Sequence, residues 1–266
     1  MKSDFQYLIP LFIGVWKLSF EVNPGERLDD LVRDGMRILQ RPDQFCFSID
    51  SVLLAHFARV RRKDRVVDLG TGTGVIPLLM TAFGAEQVTA VEKNPVMADL
   101  ARRNAEGNGK SHLIHVVEGD YCKPALLFPS GAFTVAVVNP PYREVGTGTI
   151  NEKSGVAAAC HELTATLEDV FRAVQYVLAF GGKLYMVHRA DRFCDLAAYG
   201  RQHGLEMKRA RFIQSHEGER AVRVLAEWKY GGHPGLAVEP PLIVHTADGS
   251  YTEEVMRIYG KEEQYE

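Results

Sequence analysis

The stretch Val66-Val67-Asp68-Leu69-Gly70-Thr71-Gly72-Thr73-Gly74 decides the fold. A short, mostly apolar run ends in three glycines at alternate positions, and a helix-like apolar segment follows from Val75 to Phe83. A buried strand turning through glycines into a helix opens a βαβ unit. In such units ligands bind outside the carboxyl ends of the strands, and glycine lets the backbone turn tightly and come close to a ligand. Outward from this stretch the alternation continues. Strands are expected at Val88 to Glu92, Ile114 to Glu118, Phe133 to Val138 and Lys183 to His188, with helices over Pro95 to Asn108, Thr166 to Leu178 and Arg192 to His203. Two last strands, Glu206 to Gln214 and Ala221 to Tyr230, flank Gly218 as a hairpin. Uninterrupted apolar strands alternating with helices predict an α/β fold: a mostly parallel seven-stranded sheet, helices on both faces, and an antiparallel terminal hairpin. Upstream, Ser51 to Val60 reads as an apolar helix with Ser48 or Asp50 as its cap.

At about 150 residues per domain, 266 residues favour one domain with modest additions. The divisions expected are an extension over 1–26, the domain over 27–232 and a tail over 233–266. With 46% hydrophobic and 24% charged residues the chain is neither disordered nor a membrane bundle. The balance of 31 basic against 34 acidic residues, a net charge of −3, gives no whole-domain basic footprint, so any nucleic-acid contact must be local. Cys46, Cys122, Cys160 and Cys194 form no Cys-x-x-Cys pair, which argues against a zinc site or a disulfide framework and suits a reduced cytoplasm. The apolar run Leu8 to Trp16 falls short of the roughly 20 residues a membrane span needs. Asp4 counters Lys2 ahead of it and Pro10 interrupts it, so a packed strand or loop is expected rather than a signal peptide.

A dinucleotide-binding loop would read G-x-G-x-x-G, yet Val75 stands where the third glycine belongs after Gly70 and Gly72, and counting from Gly72 puts Pro77 there. The spacing Asp68-x-Gly70-x-Gly72-x-Gly74 instead resembles the first motif of the Rossmann-like class I S-adenosylmethionine-dependent methyltransferases. That resemblance implies a cofactor site of Asp68, Gly70, Thr71, Gly72 and Gly74, with Glu92 taking the ribose hydroxyls, Lys93 beside it, and Asp120 meeting the adenine amino group. Glu92 stands 24 residues after Asp68 at the end of the next strand, where dinucleotide folds carry their ribose-binding acid about 20 positions on. Singly, each carboxylate could as well be a cap or a solvated charge.

Asn139-Pro140-Pro141-Tyr142 directly follows the strand Phe133 to Val138. Alone, Pro-Pro would mark only a turn. After the glycine motif it resembles the signature of methyltransferases acting on an amino group conjugated to a ring or carbonyl: adenine N6, cytosine N4 or a glutamine amide. Such a nitrogen is a poor nucleophile because its lone pair is delocalised. The resemblance implies that the Asn139 oxygen and the Pro140 carbonyl accept the two N–H groups and favour a pyramidal nitrogen, that the prolines stiffen the carbonyl, and that Tyr142 stacks on the planar target.

Phe45-Cys46-Phe47-Ser48-Ile49-Asp50 and Arg143 to Gly148, with His161-Glu162, resemble one subgroup, the bacterial tRNA(Val) adenine-N6 methyltransferases. This implies tRNA as partner and adds Phe47, Ser48, Asp50 and Asn139 to the cofactor site; the alternative for Phe45 and Phe47 is ordinary core. His161 and Glu162 would border the target pocket or open a helix in solvent. Ile150 to Gly155 looks shorter than the subgroup's acidic stretch. Basic residues Arg59 to Arg65, and Arg201, Lys208, Arg209 and Arg211, are candidates for RNA phosphates or simply a solvated face. Two other functions stay open: methylation of a protein glutamine on N5, and a noncatalytic protein that binds cofactor or RNA.

Overall fold

The computed structural model describes residues 20–31, 33–44, 46–141 and 165–261. The first elements form an antiparallel hairpin, β1 (Arg27–Asp30) with β2 (Arg37–Gln40), pairing Arg27 with Gln40 and Asp30 with Arg37. Helix α1 (Ile49–Phe57) follows, started by Ser48, whose hydroxyl accepts the Asp50 N–H at 3.3 Å. Then come β3 (Val66–Leu69), α2 (Val75–Ala82), β4 (Val88–Glu92), α3 (Pro95–Gly107), β5 (Ile114–Glu118) and β6 (Phe133–Val138). Beyond the undescribed stretch lie α4 (Leu167–Val177), β7 (Leu178–Arg189), α5 (Phe193–Gln202), β8 (Leu205–Gln214), β9 (Arg223–Tyr230), β10 (Ala237–Ile243) and α6 (Glu253–Ile258).

The large sheet has the order β10-β8-β9-β7-β6-β3-β4-β5. All neighbours are parallel except those of β9, which runs antiparallel to both β7 and β8. All four residues of β3 are buried, as a strand covered on both faces requires. Side-chain alternation sends Val66, Val88 and Val135 into a core with α1 and α2, and Val67, Val91 and Ala136 into a second core with α4 and Trp228. The chain leaves β3 toward β4 and β5, then returns to place β6 on the other side of β3, with Asp68 opposite Val137. That reversal opens a crevice at the carboxyl ends of β3 and β6, between Leu69 and Asn139.

The expected strands and helices are present, and the sheet has an eighth strand beyond the seven. Residues 237–243 pair in parallel with β8, from Ala237 opposite Arg209 to Ile243 opposite Gln214. Pro240 and Pro241 interrupt the register, which an edge strand tolerates and which disguises it in the sequence. Leu242, Val244, Val255 and Ile258 are buried in the same core as α1, so much of the stretch read as a tail is built into the domain. The run Leu8 to Trp16 and residues Phe45, Tyr142 to Gly148, Ile150 to Gly155, Cys160, His161 and Glu162 lie outside the described residues. No helix among the described residues is long and apolar enough to cross a membrane.

Candidate functional site

Between β3 and α2 the chain needs three left-handed residues in five, and Gly70, Gly72 and Gly74 take φ of 81°, 58° and 83°. The N–H groups of Gly70 and Thr71 both donate to the Val91 carbonyl at 2.9 Å, tying the loop to the end of β4. At Gly74 a Cβ would also come within 3.2 Å of the Ala101 Cβ on α3, so a side chain is excluded by space as well as by φ. The Glu92 carboxylate closes the arrangement. One oxygen accepts the Gly72 N–H and the other the Asn94 N–H, each at 2.8 Å. Burial pushes this carboxyl up and those backbone bonds pull it down, with the net shift upward. Each oxygen has a second acceptor site. Glu92 can therefore hold the loop and still receive two hydroxyls of a ligand.

Beneath the loop, Asp68 is fully buried. Burial drives its carboxyl up to about 7; Thr71 offsets part of this, and the nearby Glu92 adds to it. The Thr71 hydroxyl stops short of hydrogen-bond geometry, and neither Asp68 oxygen nor Thr71 Oγ has a hydrogen-bond partner among the described residues. A buried acid left without a partner at the mouth of a crevice suits a cationic ligand group, reached directly or through water. It also makes a stability prediction. The folded-state value lies above the unfolded 3.8, so the folded protein retains a proton that the unfolded chain releases. The contribution is present at low pH and is lost as pH rises through roughly 4 to 7. Asp68→Asn should flatten that part of the Tm-against-pH curve of cofactor-free protein, by a few kcal/mol at most (order of magnitude). Parallel curves for variant and parent would show that Asp68 is not strained.

Asp120 and Lys93 meet across the next turn. Partial burial raises the Asp120 carboxyl, but the Cys122 N–H at 3.0 Å and Lys93 Nζ at 3.3 Å outweigh it and hold the group below the usual range. The ring of Tyr121 covers the loop, its Cε1 being 3.4 Å from where a Gly70 Cβ would stand.

On the other wall, Asn139 follows β6 directly. Its Nδ2 donates to Ser51 Oγ at 3.1 Å, and Ser51 is buried on α1. This contact anchors the carboxamide to α1. Pro140 is buried and Pro141 exposed. Of the residues expected at the cofactor, Asp50 pairs with Arg223 at 3.1 Å, Ser48 caps α1, and Phe47 packs against the core beside Tyr259. The structure thus gathers the glycine loop, Asp68, Glu92 and Asn139 around one crevice. Phe47 and Asp50 sit on its α1 side.

Ser51 and Asn104 are missed by reading the sequence. Asn104 is fully buried; its Nδ2 donates to the Thr73 and Leu39 carbonyls at 2.9 and 3.0 Å, and its oxygen accepts the Leu39 N–H at 2.6 Å. It therefore welds the glycine loop to β2. The one signal for it is a carboxamide on the apolar stripe of an amphipathic helix.

Arg59 to Arg65 lies ahead of β3, at the sheet edge opposite the glycine loop, and Arg62 and Arg65 donate to Glu86 and the Ala132 carbonyl at 2.7 and 2.6 Å. Arg209 is buried against Glu227, Glu239 and the Phe57 carbonyl, Arg211 is held by Glu254, Arg201 by Glu206, and Lys208 by the His233 carbonyl. Arg209 and Arg211 thus serve acids and carbonyls of the protein itself, whereas Arg59, Arg61, Arg62, Lys63 and Arg65 are all exposed.

A family model for the methyltransferase small domain matches residues 48–197. The chain belongs to that family. The match runs from the Ser48 cap through the glycine loop, Glu92, Asp120 and Asn139, so this methyltransferase domain contains both walls of the crevice. A tRNA1(Val) (adenine(37)-N6)-methyltransferase of Porphyromonas gingivalis is 29% identical over 198 residues, covering 72% of this chain and 76% of its own. Another, from Shewanella amazonensis, is 36% identical over 114 residues, 43% of this chain and 48% of its own. A crystal structure described as a predicted O-methyltransferase from Agrobacterium tumefaciens superposes with a TM-score of 0.63 at 26% identity, over 80% of this chain and 96% of that one. Geranyl diphosphate C-methyltransferase from Streptomyces coelicolor shares the fold, with a TM-score of 0.51 at 12% identity over 68% of this chain and 77% of that one.

Proposed function

We propose that the protein transfers a methyl group from S-adenosylmethionine to N6 of an adenine in the anticodon loop of tRNA(Val), in the cytoplasm. The observation that carries this reading is Asn139, set at the carboxyl end of β6 beside the glycine loop with its amide anchored by Ser51. The relatives named above as tRNA1(Val) (adenine(37)-N6)-methyltransferases support the substrate.

Glu92 would take the ribose hydroxyls, and Asp68 and Thr71 would supply polar groups to the amino-acid end, while the glycines allow close backbone approach. Asp120 and Lys93 stand one strand further on, where the adenine would lie. When bound, S-adenosylmethionine supplies an electrophilic methyl on a sulfonium. The Asn139 oxygen and the Pro140 carbonyl accept the two N–H groups of the target, which favours a pyramidal nitrogen with its lone pair directed outward. The new N–C bond forms as the C–S bond breaks, and the surplus N–H proton leaves to water. Tyr142, next in the chain, is assigned to stacking on the target base. Holding the two substrates in line does most of the remaining work.

The test is methyl transfer from labelled S-adenosylmethionine to tRNA from a deletion strain, followed by mass spectrometry of the nucleosides. N6-methyladenosine in tRNA(Val) is the expected product, with transfer falling as salt rises. Label in a protein glutamine, with none in RNA across a full tRNA pool, would overturn the assignment.

A further inference from the structure

The β8 and β10 strands run parallel to β3 and β6, so their carboxyl ends reach the same edge as the glycine loop and Asn139. Four rings follow one another along that edge. His216, two residues past β8, lies 5.6 Å from His245, two residues past β10. The His245 ring lies 5.3 Å from Tyr251, and Tyr251 stacks on Tyr259 at 5.7 Å with the planes 18° apart. All four lie outside the residues that the family model matches.

Two of the four rings keep a large part of their surface open to solvent. Tyr251 is 43% exposed and the His216 side chain 41%. Tyr251 and Tyr259 also wall a cavity of about 250 Å³ with Phe47, Met256, Asp30 and Lys261. Phe47 immediately precedes the cap of α1, the helix whose Ser51 holds Asn139. Phe47 thus connects the cavity lining, within a few residues of chain, to the helix that anchors Asn139.

We propose that this cavity takes one unstacked nucleobase of the RNA substrate, flanking the methylated adenine, with Tyr251 as its stacking face. Lys261 offers a cation for the adjoining phosphate, and Asp30 an acceptor for a base N–H. Aromatic faces bind bases of single strands with little regard to sequence, and one such contact is worth a large factor in affinity. The inference rests on the RNA reading above and adds a second contact site to it. It places an RNA contact at the edge that carries the chemistry.

The test compares Tyr251→Ala, Tyr251→Phe and Lys261→Glu in the full chain, with an anticodon stem-loop of the substrate as ligand. Tyr251→Ala should raise the RNA KM by about tenfold or more, a loss of one stacked base. Tyr251→Phe should restore it, because the ring and not the hydroxyl does the stacking. Lys261→Glu, an exposed substitution, should weaken RNA binding and lower its salt dependence. The KM for S-adenosylmethionine should stay at the parental value in all three, and the Tm in Tyr251→Phe and Lys261→Glu. An unchanged RNA KM in Tyr251→Ala and Lys261→Glu, in an enzyme that does methylate tRNA, would overturn the cavity assignment alone. Absence of RNA binding by the parent protein would overturn it together with the proposed function.

Discussion

Asn139→Ala is expected to lower kcat by on the order of a hundredfold or more while cofactor affinity stays nearly parental. Asn139 lies on the β6 wall of the crevice, whereas the glycine loop and Glu92 form the other wall. Its amide oxygen is assigned to the transition state, where the target nitrogen must turn pyramidal. A lost acceptor there lowers the rate without weakening the cofactor. Ser51 supplies a graded version of the same experiment. Ser51→Ala removes only the acceptor of the 3.1 Å bond from Nδ2. The carboxamide then loses its orientation rather than its oxygen, and kcat should fall by about tenfold, the effect of one ordinary hydrogen bond. Asn139→Asp should retain part of the activity, since a hydroxyl can rotate and donate where it formerly accepted. If Asn139→Ala weakened cofactor binding as much as it slowed turnover, Asn139 would be a structural residue and the assigned chemistry would lose its centre.

What the sequence discloses about this site is set by sequence distance. The glycine loop is legible because three left-handed turns leave glycine as nearly the only choice, and Glu92 because it ends the strand paired with β3. Strands such as Val66–Leu69 stand out because, with both faces covered, they are apolar throughout. Ser51 and Asn104 are invisible for the opposite reason. Their partners are 88 and 65 residues away, and no local pattern records a contact of that length. Charge is misleading in the same way. Arg209 reads as a basic residue in a basic run, yet Glu227 and Glu239 neutralise it from neighbouring strands, and it lies 3.7 Å above the Phe57 ring. The eighth strand is hidden by Pro240 and Pro241, residues that argue against a central strand and are harmless at an edge. Of the two roles the sequence allowed Phe47, the structure supplies the core one. It packs against the core, and it also lines the cavity with Tyr251 and Tyr259.

Two substitutions at Glu92 separate the ribose from the loop. Glu92→Gln keeps the shape but presents an NH2 group to either the Gly72 or the Asn94 N–H, both of which now donate to the carboxylate at 2.8 Å. One backbone donor is left facing another donor, and the charged acceptor for the ribose hydroxyls is gone. Hydrogen bonds to a charged group contribute roughly 1.5 to 3 kcal/mol each, so cofactor affinity should fall by about tenfold to a hundredfold. Glu92→Ala leaves both buried donors unpaired, at a cost of ~1 to 3 kcal/mol apiece, and should lower Tm as well as affinity. Acidity gives a second readout. Burial holds the Glu92 carboxyl above the ordinary glutamate range, so acidification protonates it early and removes acceptor capacity. In an Asp68→Asn background, which deletes the buried acid beneath the glycine loop, cofactor affinity should decline on acidification starting above that range. The decline should vanish when Glu92→Gln is added. Calorimetry that found unchanged affinity in Glu92→Gln, with the same pH profile as its parent, would remove Glu92 from the ligand's contacts and leave it only the work of tying the glycine loop to α3.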